Sequence, residues 1–418
     1  MRRARLIAGI LALAACDGGG GGDAGVVEDA GAPRPDAGLA LGDAGPPPPP
    51  VVSFPDQCAP GEAPDEACFA MRRDPGSERV ALARALADRY VAEHPPASQP
   101  WDWSEGVLMH ALLELSRITG DEALRDYVAA WLDHHIEGGY EMEWSDHCPP
   151  ALSAMALWAE RGDDRYARVM LDVLDYYERV PRTDVGGVGH LGFLGRTNPA
   201  HWLDSLMMIG LPLARWGELR NDMAPIDEAA FQARVFTETM QDPSGFYVHA
   251  YMWVGAEQDE GVYWARGNGW VVTALHEMLR VHRVRGAEAP ALEAAATALS
   301  DAVIAAQDPD TGLFWQVVNR PGETYLETSA TALIAYGLAR GVRYGYRDRA
   351  TTVPAVEAAI EGLRSRIRRD DADRPVVTGI SGPTMVGGFD YYASIPLEED
   401  VPFGVGAAIL ALTEASGL

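Results

Sequence analysis

Two carboxylates stand where they could do chemistry. Asp204 lies in Ala200-His201-Trp202-Leu203-Asp204-Ser205-Leu206-Met207-Met208, where Leu203, Leu206, Met207 and Leu211 recur at helical spacing. Asp sits poorly inside a helix and is rarely buried without a partner. Burial beside Trp202 and Met207 is expected to raise its proton affinity, which suits a general acid. The same position also fits an Asp in a first turn, where its charge complements the helix dipole. Asp146, in Trp144-Ser145-Asp146-His147-Cys148-Pro149, precedes a Pro-started helix and is either an N-cap or a cleft residue.

Aromatic and basic residues accompany them. Tyr263-Trp264-Ala265-Arg266-Gly267-Asn268-Gly269-Trp270 puts two Trp around an Arg and an Asn at a helix start. Indole faces stack on sugar rings and Arg can hold a carboxylate bidentately, although core aromatics beside a surface Arg would read the same. His190 sits in Gly187-Val188-Gly189-His190-Leu191-Gly192, a formal GxGxxG with no strand before it, so a turn with a cleft-lining His is expected. The segment Phe246–Tyr251 supplies His249. Asp146-His147-Cys148 has no second ligand cluster, His276 and His282 are too far apart for a zincin motif, and no metal or other cofactor is expected. Tyr325–Ala330 and Gly379–Thr384 read as caps. GxSxG, Walker A and SxxK motifs are absent, which removes the common serine-nucleophile and phosphate-loop classes. What remains is a carboxylate site with aromatic walls, the equipment of carbohydrate chemistry.

The elements that must position these residues are helices. Amphipathic segments cover 77–93, 102–119, 121–137, 149–160, 163–179, 200–219, 226–240, 264–284, 289–306, 326–343, 354–368 and 402–417. Period-two alternation is confined to short stretches near 246–252, 314–318 and 374–378, so the fold class is all-α. Gly120-Asp121 and Gly162-Asp163 each end one helix and cap the next, 42 residues apart. Six hairpins at that period either close into an (α/α)6 toroid or stack as an open solenoid. The long loops after 137, 179, 240 and 368 hold most of the unusual residues and would build a cleft at one end.

The barrel is assigned to residues 77–418, behind three other segments. Residues 1–15 carry Met1-Arg2-Arg3-Ala4-Arg5, a short apolar run and Leu13-Ala14-Ala15-Cys16, which resembles a bacterial lipobox, with an ordinary secretory signal as the alternative. Acylation of Cys16 would make the chain an exported lipoprotein held to a cell-envelope membrane. Residues 16–50, rich in Gly, Asp, Ala and Pro, read as a disordered tether, and 51–76 as an irregular lead-in. Cys58 and Cys68 in that lead-in are candidates for a disulfide in an oxidising compartment. The formal charge of −27, from 61 acidic and 34 basic residues, disfavours a nucleic-acid partner.

The order Pro181-Arg182, Gly187, His190, Trp202-Leu203-Asp204-Ser205-Leu206-Met207-Met208, His249, Trp264-Ala265-Arg266-Gly267-Asn268-Gly269-Trp270, Gly312-Leu313-Phe314-Trp315-Gln316-Val317 and Leu326-Glu327-Thr328-Ser329-Ala330 resembles glycoside hydrolase families 88 and 105. These are the unsaturated glucuronyl and rhamnogalacturonyl hydrolases. The resemblance, from about residue 80 onward, implies an (α/α)6 barrel. It also implies removal of the terminal 4,5-unsaturated uronic acid that polysaccharide lyases leave on oligosaccharides. Asp204 matches the Asp that protonates C4 of the C4=C5 bond and activates water for attack at C5. Asp146 matches the second family Asp, in a Ser-Asp-His-Cys-Pro-Pro context that departs from the family's Asp-rich form. His190, His249, Trp264, Arg266, Asn268 and Trp270 are expected to bind substrate, and the loop at 254–262 is shorter than is usual. A catalytically silent carbohydrate-binding lipoprotein, and another (α/α)6 enzyme such as a conventional glycosidase or an epimerase, are the alternatives.

Overall fold

The computed structural model describes residues 73–418. The expected leader and tether, and with them Cys16, Cys58 and Cys68, lie outside the described residues. In chain order the helices are α1 (Glu78–Glu93), α2 (Trp103–Thr119), α3 (Glu122–Gly138), α4 (Pro150–Arg161), α5 (Asp164–Arg179), α6 (Leu211–Arg220) and α7 (Met223–Met240). They continue with α8 (Ala265–Val284), α9 (Pro290–Ala306), α10 (Thr328–Arg343), α11 (Arg349–Ser365), the short α12 (Phe389–Ser394) and α13 (Pro402–Glu414).

Helices α2, α4, α6, α8, α10 and α13 pack each on the next, and α13 packs back on α2. That last contact closes the ring and excludes the open solenoid, whose terminal helices would not meet. Burial separates the two layers. Every residue of α10 is buried, whereas α5 buries one stripe that includes Tyr166, Val169, Met170, Val173 and Tyr177. The inner ring is thus walled by outer helices that need only one apolar face.

The short turns lie at the C-terminal ends of the inner helices. Gly120 (φ 73°) and Gly162 (φ 70°) take the left-handed conformation. Asp121 and Asp163 accept from Ala123 and Arg165 amides to start the returning helix. Asn221 and Asp222 repeat the device between α6 and α7. At this end the ring is plugged by ions. Glu277 sits among Arg215 (3.2 Å), Arg280 (3.0 Å) and Arg340 (2.8 Å) and accepts from Tyr336 at 2.6 Å. Glu414 pairs with Arg343 at 2.9 Å and Arg73 at 2.6 Å.

All long loops therefore return to the N-terminal ends of the inner helices, braced by four two-stranded antiparallel ladders. These are β1 (His201–Trp202) with β2 (Ala250–Tyr251), β3 (Phe314–Trp315) with β4 (Leu326–Glu327), β5 (Ile367–Arg369) with β6 (Pro375–Val377), and β7 (Ile380–Ser381) with β8 (Leu397–Glu398). Three helix boundaries need correction. Residues 200–204 are not helical: β1 and a turn come first, and from Ser205 the chain enters α6 through a π turn, Leu206–Gly210. Helix α11 starts at Arg349, not 354, because Asp348 caps it and Pro354 is accommodated inside. Helix α12 falls in a stretch read as loop.

Candidate active site

Asp204 occupies the turn between β1 and the π turn, and its carbonyl accepts from the amides of Met207 and Met208, both at 2.9 Å. It is therefore a helix-entry residue rather than a helix-interior one. The pairing of β1 with β2 puts His249 beside it: the Leu203 amide donates to the His249 carbonyl, and His249 Nε2 lies 3.5 Å from Asp204 Oδ2. Asp146 lies in a single 3-10 turn, Ser145–His147, whose backbone is tied to the His190 carbonyl through the Ser145 amide. His190 Nε2 is 3.6 Å from Asp146 Oδ1. Each carboxyl thus has its own imidazole.

The rings form one stack. Trp202 lies flat on His190 at 4.4 Å between centroids and meets His249 edge-on at 5.4 Å. His249 in turn stacks on Trp264 at 4.5 Å. Ser205 Oγ holds His190 Nδ1 at 3.0 Å. Both Asp146 and Asp204 are buried, at 8% and 9% exposure, so neither is solvated enough to be a plain surface charge.

Their environments drive them in opposite directions. Burial, with Asp102 and Asp204 as like charges nearby, raises the Asp146 carboxyl well above the usual range. Burial also acts on Asp204, but the facing His249 and the more distant His190 outweigh it and hold that carboxyl below its ordinary value. This corrects the expectation that burial would keep the proton on Asp204. Burial pushes His190 down to about 4, so near neutral pH it meets Asp146 as an uncharged ring and the contact is no salt bridge. The two carboxyls are thus driven apart in proton affinity, Asp146 upward and Asp204 downward, as acid–base sites often are.

A raised carboxyl costs stability once it ionises. The unfolded chain releases this proton at a lower pH, so the Asp146 contribution is present at low pH and is lost as pH rises through its folded value. Asp146→Asn removes that loss. We expect the variant to unfold about 1–3 °C higher than wild type near pH 8, with the gain vanishing near pH 3. Equal midpoints at pH 8 would mean that Asp146 is not destabilised by its surroundings.

Three expected binding residues have most of their polar groups or ring faces taken up by the scaffold. Arg266 is 1% exposed, and its terminal nitrogens donate to the Ser381 and Gly382 carbonyls and the Thr384 hydroxyl, all at 2.7 Å. It is sandwiched between Trp264 and Phe403. Its fork is thus committed to the 381–384 loop, and only the buried Nε stays without a partner. Asn268 spends its amide on both backbone groups of Tyr247 and on the Trp264 carbonyl. Trp270 is buried in the core, edge-on to Trp103. The GxGxxG segment is a turn, closed by the Thr183–Gly187 hydrogen bonds, with Gly187 packed directly on the His201 ring.

Other site residues carry weaker signals in the sequence. Asp102, the N-cap of α2, is the charge that acts on Asp146. Glu327 caps α10 and also accepts from the Ser381 amide at 2.9 Å, binding two loops together. Tyr392 on α12 holds His249 Nδ1 at 2.9 Å. Around these lie buried polar atoms with no protein hydrogen bond: the indole nitrogens of Trp202 and Trp264, Arg266 Nε and Gln316 Oε1, while Asp204 Oδ2 and His249 Nε2 have only each other, at 3.5 Å. Such groups are costly inside a protein and are expected where a polar ligand or water completes them. The N-termini of the six inner helices also converge here, and their dipoles favour an anion.

The model of glycosyl hydrolase family 88 matches residues 80–418, the whole barrel. The chain belongs to this family. Among curated relatives, an unsaturated rhamnogalacturonyl hydrolase of Bacillus subtilis is 24% identical over 343 residues, covering 79% of this chain and 94% of its own. A possible family 105 member from Salmonella enterica superposes with a TM-score of 0.72 at 26% identity, over 84% of this chain and 98% of that one. The unsaturated glucuronyl hydrolase of Bacillus sp. GL1 shares the fold, with a TM-score of 0.65 at 19% identity over 80% and 95% of the two chains. The family 88 chain is thus a glycoside hydrolase built on an α/α barrel.

Proposed function

We propose that this hydrolase removes a terminal 4,5-unsaturated uronic acid from lyase-generated oligosaccharides by hydrating the C4=C5 bond. The observation that carries the reading is the buried Asp204 carboxyl, set against His249 among the rings of Trp202, His190 and Trp264 in a chain of family 88. Asp204 donates a proton to C4 of the enol ether, leaving a cation at C5 shared with the ring oxygen. Water then adds at C5 and returns its proton to the Asp204 carboxylate. The hemiketal opens, C1 becomes a hemiacetal, and that hemiacetal expels the next sugar as an alcohol. The indole N–H groups of Trp202 and Trp264 and Arg266 Nε, all without protein partners, are the donors we assign to the uronate.

In the free enzyme Asp204 is held in its ionised form by His249, so it must gain a proton for this role. A uronate entering the dry site is a like charge and raises its proton affinity. Two pH profiles follow. kcat/KM reports the free enzyme and falls as pH rises through the lowered Asp204 value, whereas kcat reports the complex and falls at higher pH. Coincident limbs would contradict proton uptake on binding.

Incubating the purified protein with lyase-generated oligosaccharides and following the ultraviolet absorbance of the C4=C5 bond tests the assignment. Loss of absorbance is expected, and a silent binding protein leaves it unchanged. We further propose that the chain is an exported lipoprotein acylated at Cys16, on the strength of Leu13-Ala14-Ala15-Cys16 after a basic and apolar leader. Labelled palmitate should be incorporated by the wild type and not by Cys16→Ser, and equal labelling would refute it.

A further inference from the structure

His249 faces Asp204 with one ring nitrogen and Tyr392 with the other. Which nitrogen carries the proton decides what the imidazole can offer Asp204. The phenol of Tyr392 resolves the choice. Its oxygen accepts from the Gly387 amide at 3.2 Å and lies 2.9 Å from His249 Nδ1. Were Nδ1 protonated, this oxygen would accept twice and the phenol proton would go unused in both of its contacts, whereas donation to Nδ1 satisfies both groups. We infer that Tyr392 is a positioning residue, which donates to His249 Nδ1 and so fixes the neutral tautomer with its proton on Nε2, aimed at Asp204.

The surroundings agree. Tyr392 is 1% exposed, and burial raises its phenol so that the proton stays on. The groups facing the His249 ring are Asp204 from the turn after β1, Trp202 from β1, Trp264 at the start of α8 and Tyr392 from α12, with His190 behind Trp202. Of these only Asp204, His190 and Tyr392 titrate. The ring stacks on Trp264 and meets Trp202 edge-on, and these contacts with the Tyr392 hydroxyl fix its plane. Helix α12 is itself fastened across the cleft, since Asp259 on the 252–262 loop accepts from the Phe389 amide at 2.6 Å. A Cβ at the preceding Gly388 would press on that same carboxylate and displace it. The helix that sequence periodicity did not reveal therefore carries the group that orients His249.

This inference rests on the proposed reaction for its kinetic arm only. Its first test is nitrogen NMR of the histidine rings in the unliganded protein, with His249 assigned by comparison with His249→Gln. The wild type should show His249 as a single Nε2–H tautomer, and Tyr392→Phe, which keeps the ring, should show a mixture. A wild-type spectrum with the proton on Nδ1, or one unchanged in Tyr392→Phe, would overturn the inference without reference to activity. In turnover of an unsaturated disaccharide, kcat of Tyr392→Phe should fall about 10-fold, the worth of one hydrogen bond. KM should stay within about twofold, and the limb of the pH profile that follows Asp204 should move. A changed tautomer with wild-type kcat and pH profile would also overturn it, because His249 would then be fixed to no purpose. Wild-type protein that leaves the disaccharide untouched would instead refute the proposed reaction and leave the NMR result standing.

Discussion

Asp204→Asn should lower kcat by about 1,000-fold or more while leaving the protein folded. Proton transfer by a placed side chain is worth about 100- to 10,000-fold, and Asp204 is asked to make two transfers, to C4 and from water. The amide matches the carboxyl in shape, so the turn after β1, held by the Met207 and Met208 amides on the Asp204 carbonyl, is unaffected. The effect on stability has a definite sign. A carboxyl whose folded value is depressed contributes stability above its unfolded value, and that contribution is lost as pH falls through the folded value. Asp204→Asn should therefore be slightly less stable than wild type near neutral pH, by about 1 kcal/mol. Asp146→Asn should be more stable there. The two substitutions remove chemically identical groups at the same end of the barrel, each facing its own imidazole. Opposite shifts in their unfolding midpoints would establish that the protein divides the charge between them. Near-wild-type turnover by Asp204→Asn would remove the basis for its role.

The second large effect is at the other end of the barrel. Glu277 is wholly buried between Arg215, Arg280 and Arg340, which belong to α6, α8 and α10. The three guanidinium groups hold its carboxyl well below the ordinary range. Glu277→Ala removes the carboxylate these cations share and leaves Glu218, Glu114 and Glu414 to balance them in a dry interior. Removing one partner of a buried ion pair costs about 3–5 kcal/mol, and we expect a loss of that size in chemical denaturation. A network of this kind need not exceed an apolar plug in stability, but it rewards one arrangement of inner helices. Because Glu277 comes 12 residues after Ala265, the first residue of α8, the plug lies about 18 Å along that helix from its N-terminal end. Turnover per folded molecule should consequently stay near that of wild type. A variant as stable as wild type would show that the closed end is held by packing alone.

Features that depend on neighbours in sequence were legible. Gly120-Asp121 and Gly162-Asp163 announce their turns because a left-handed glycine and an Asp cap are local devices. Twelve of the helices were recognised from periodicity, since an inner or outer helix of a barrel buries a face for its whole length. Helix α12 escaped because six residues, Phe389–Ser394, are too few for a period. Pro354 misplaced the start of α11 because proline usually begins a helix and here does not.

In the site, residue types were legible and partners were not. Asp204, Asp146, His190, His249 and Trp264 come together as the sequence motifs imply. Arg266 was expected to hold a carboxylate, but the carbonyls that occupy it belong to Ser381 and Gly382, more than a hundred residues further on. The proton affinity of Asp204 was read from its apolar neighbours alone. The β1–β2 pairing that brings His249 against it is two residues long and has no signature of its own. Charge state is thus a property of tertiary contacts, and sequence could supply only the burial half of it.

The central claim is that the ring double bond, not the bond to the next sugar, is attacked. An unsaturated uronide whose next group is joined to C1 through sulfur separates the two, because hydration at C4 and C5 leaves the C1 linkage untouched in its first steps. The wild-type enzyme should abolish the ultraviolet absorbance of this compound, and Asp204→Asn should not. Persistence of the absorbance, with the oxygen-linked compound consumed alongside, would contradict hydration and place the attack at the anomeric carbon.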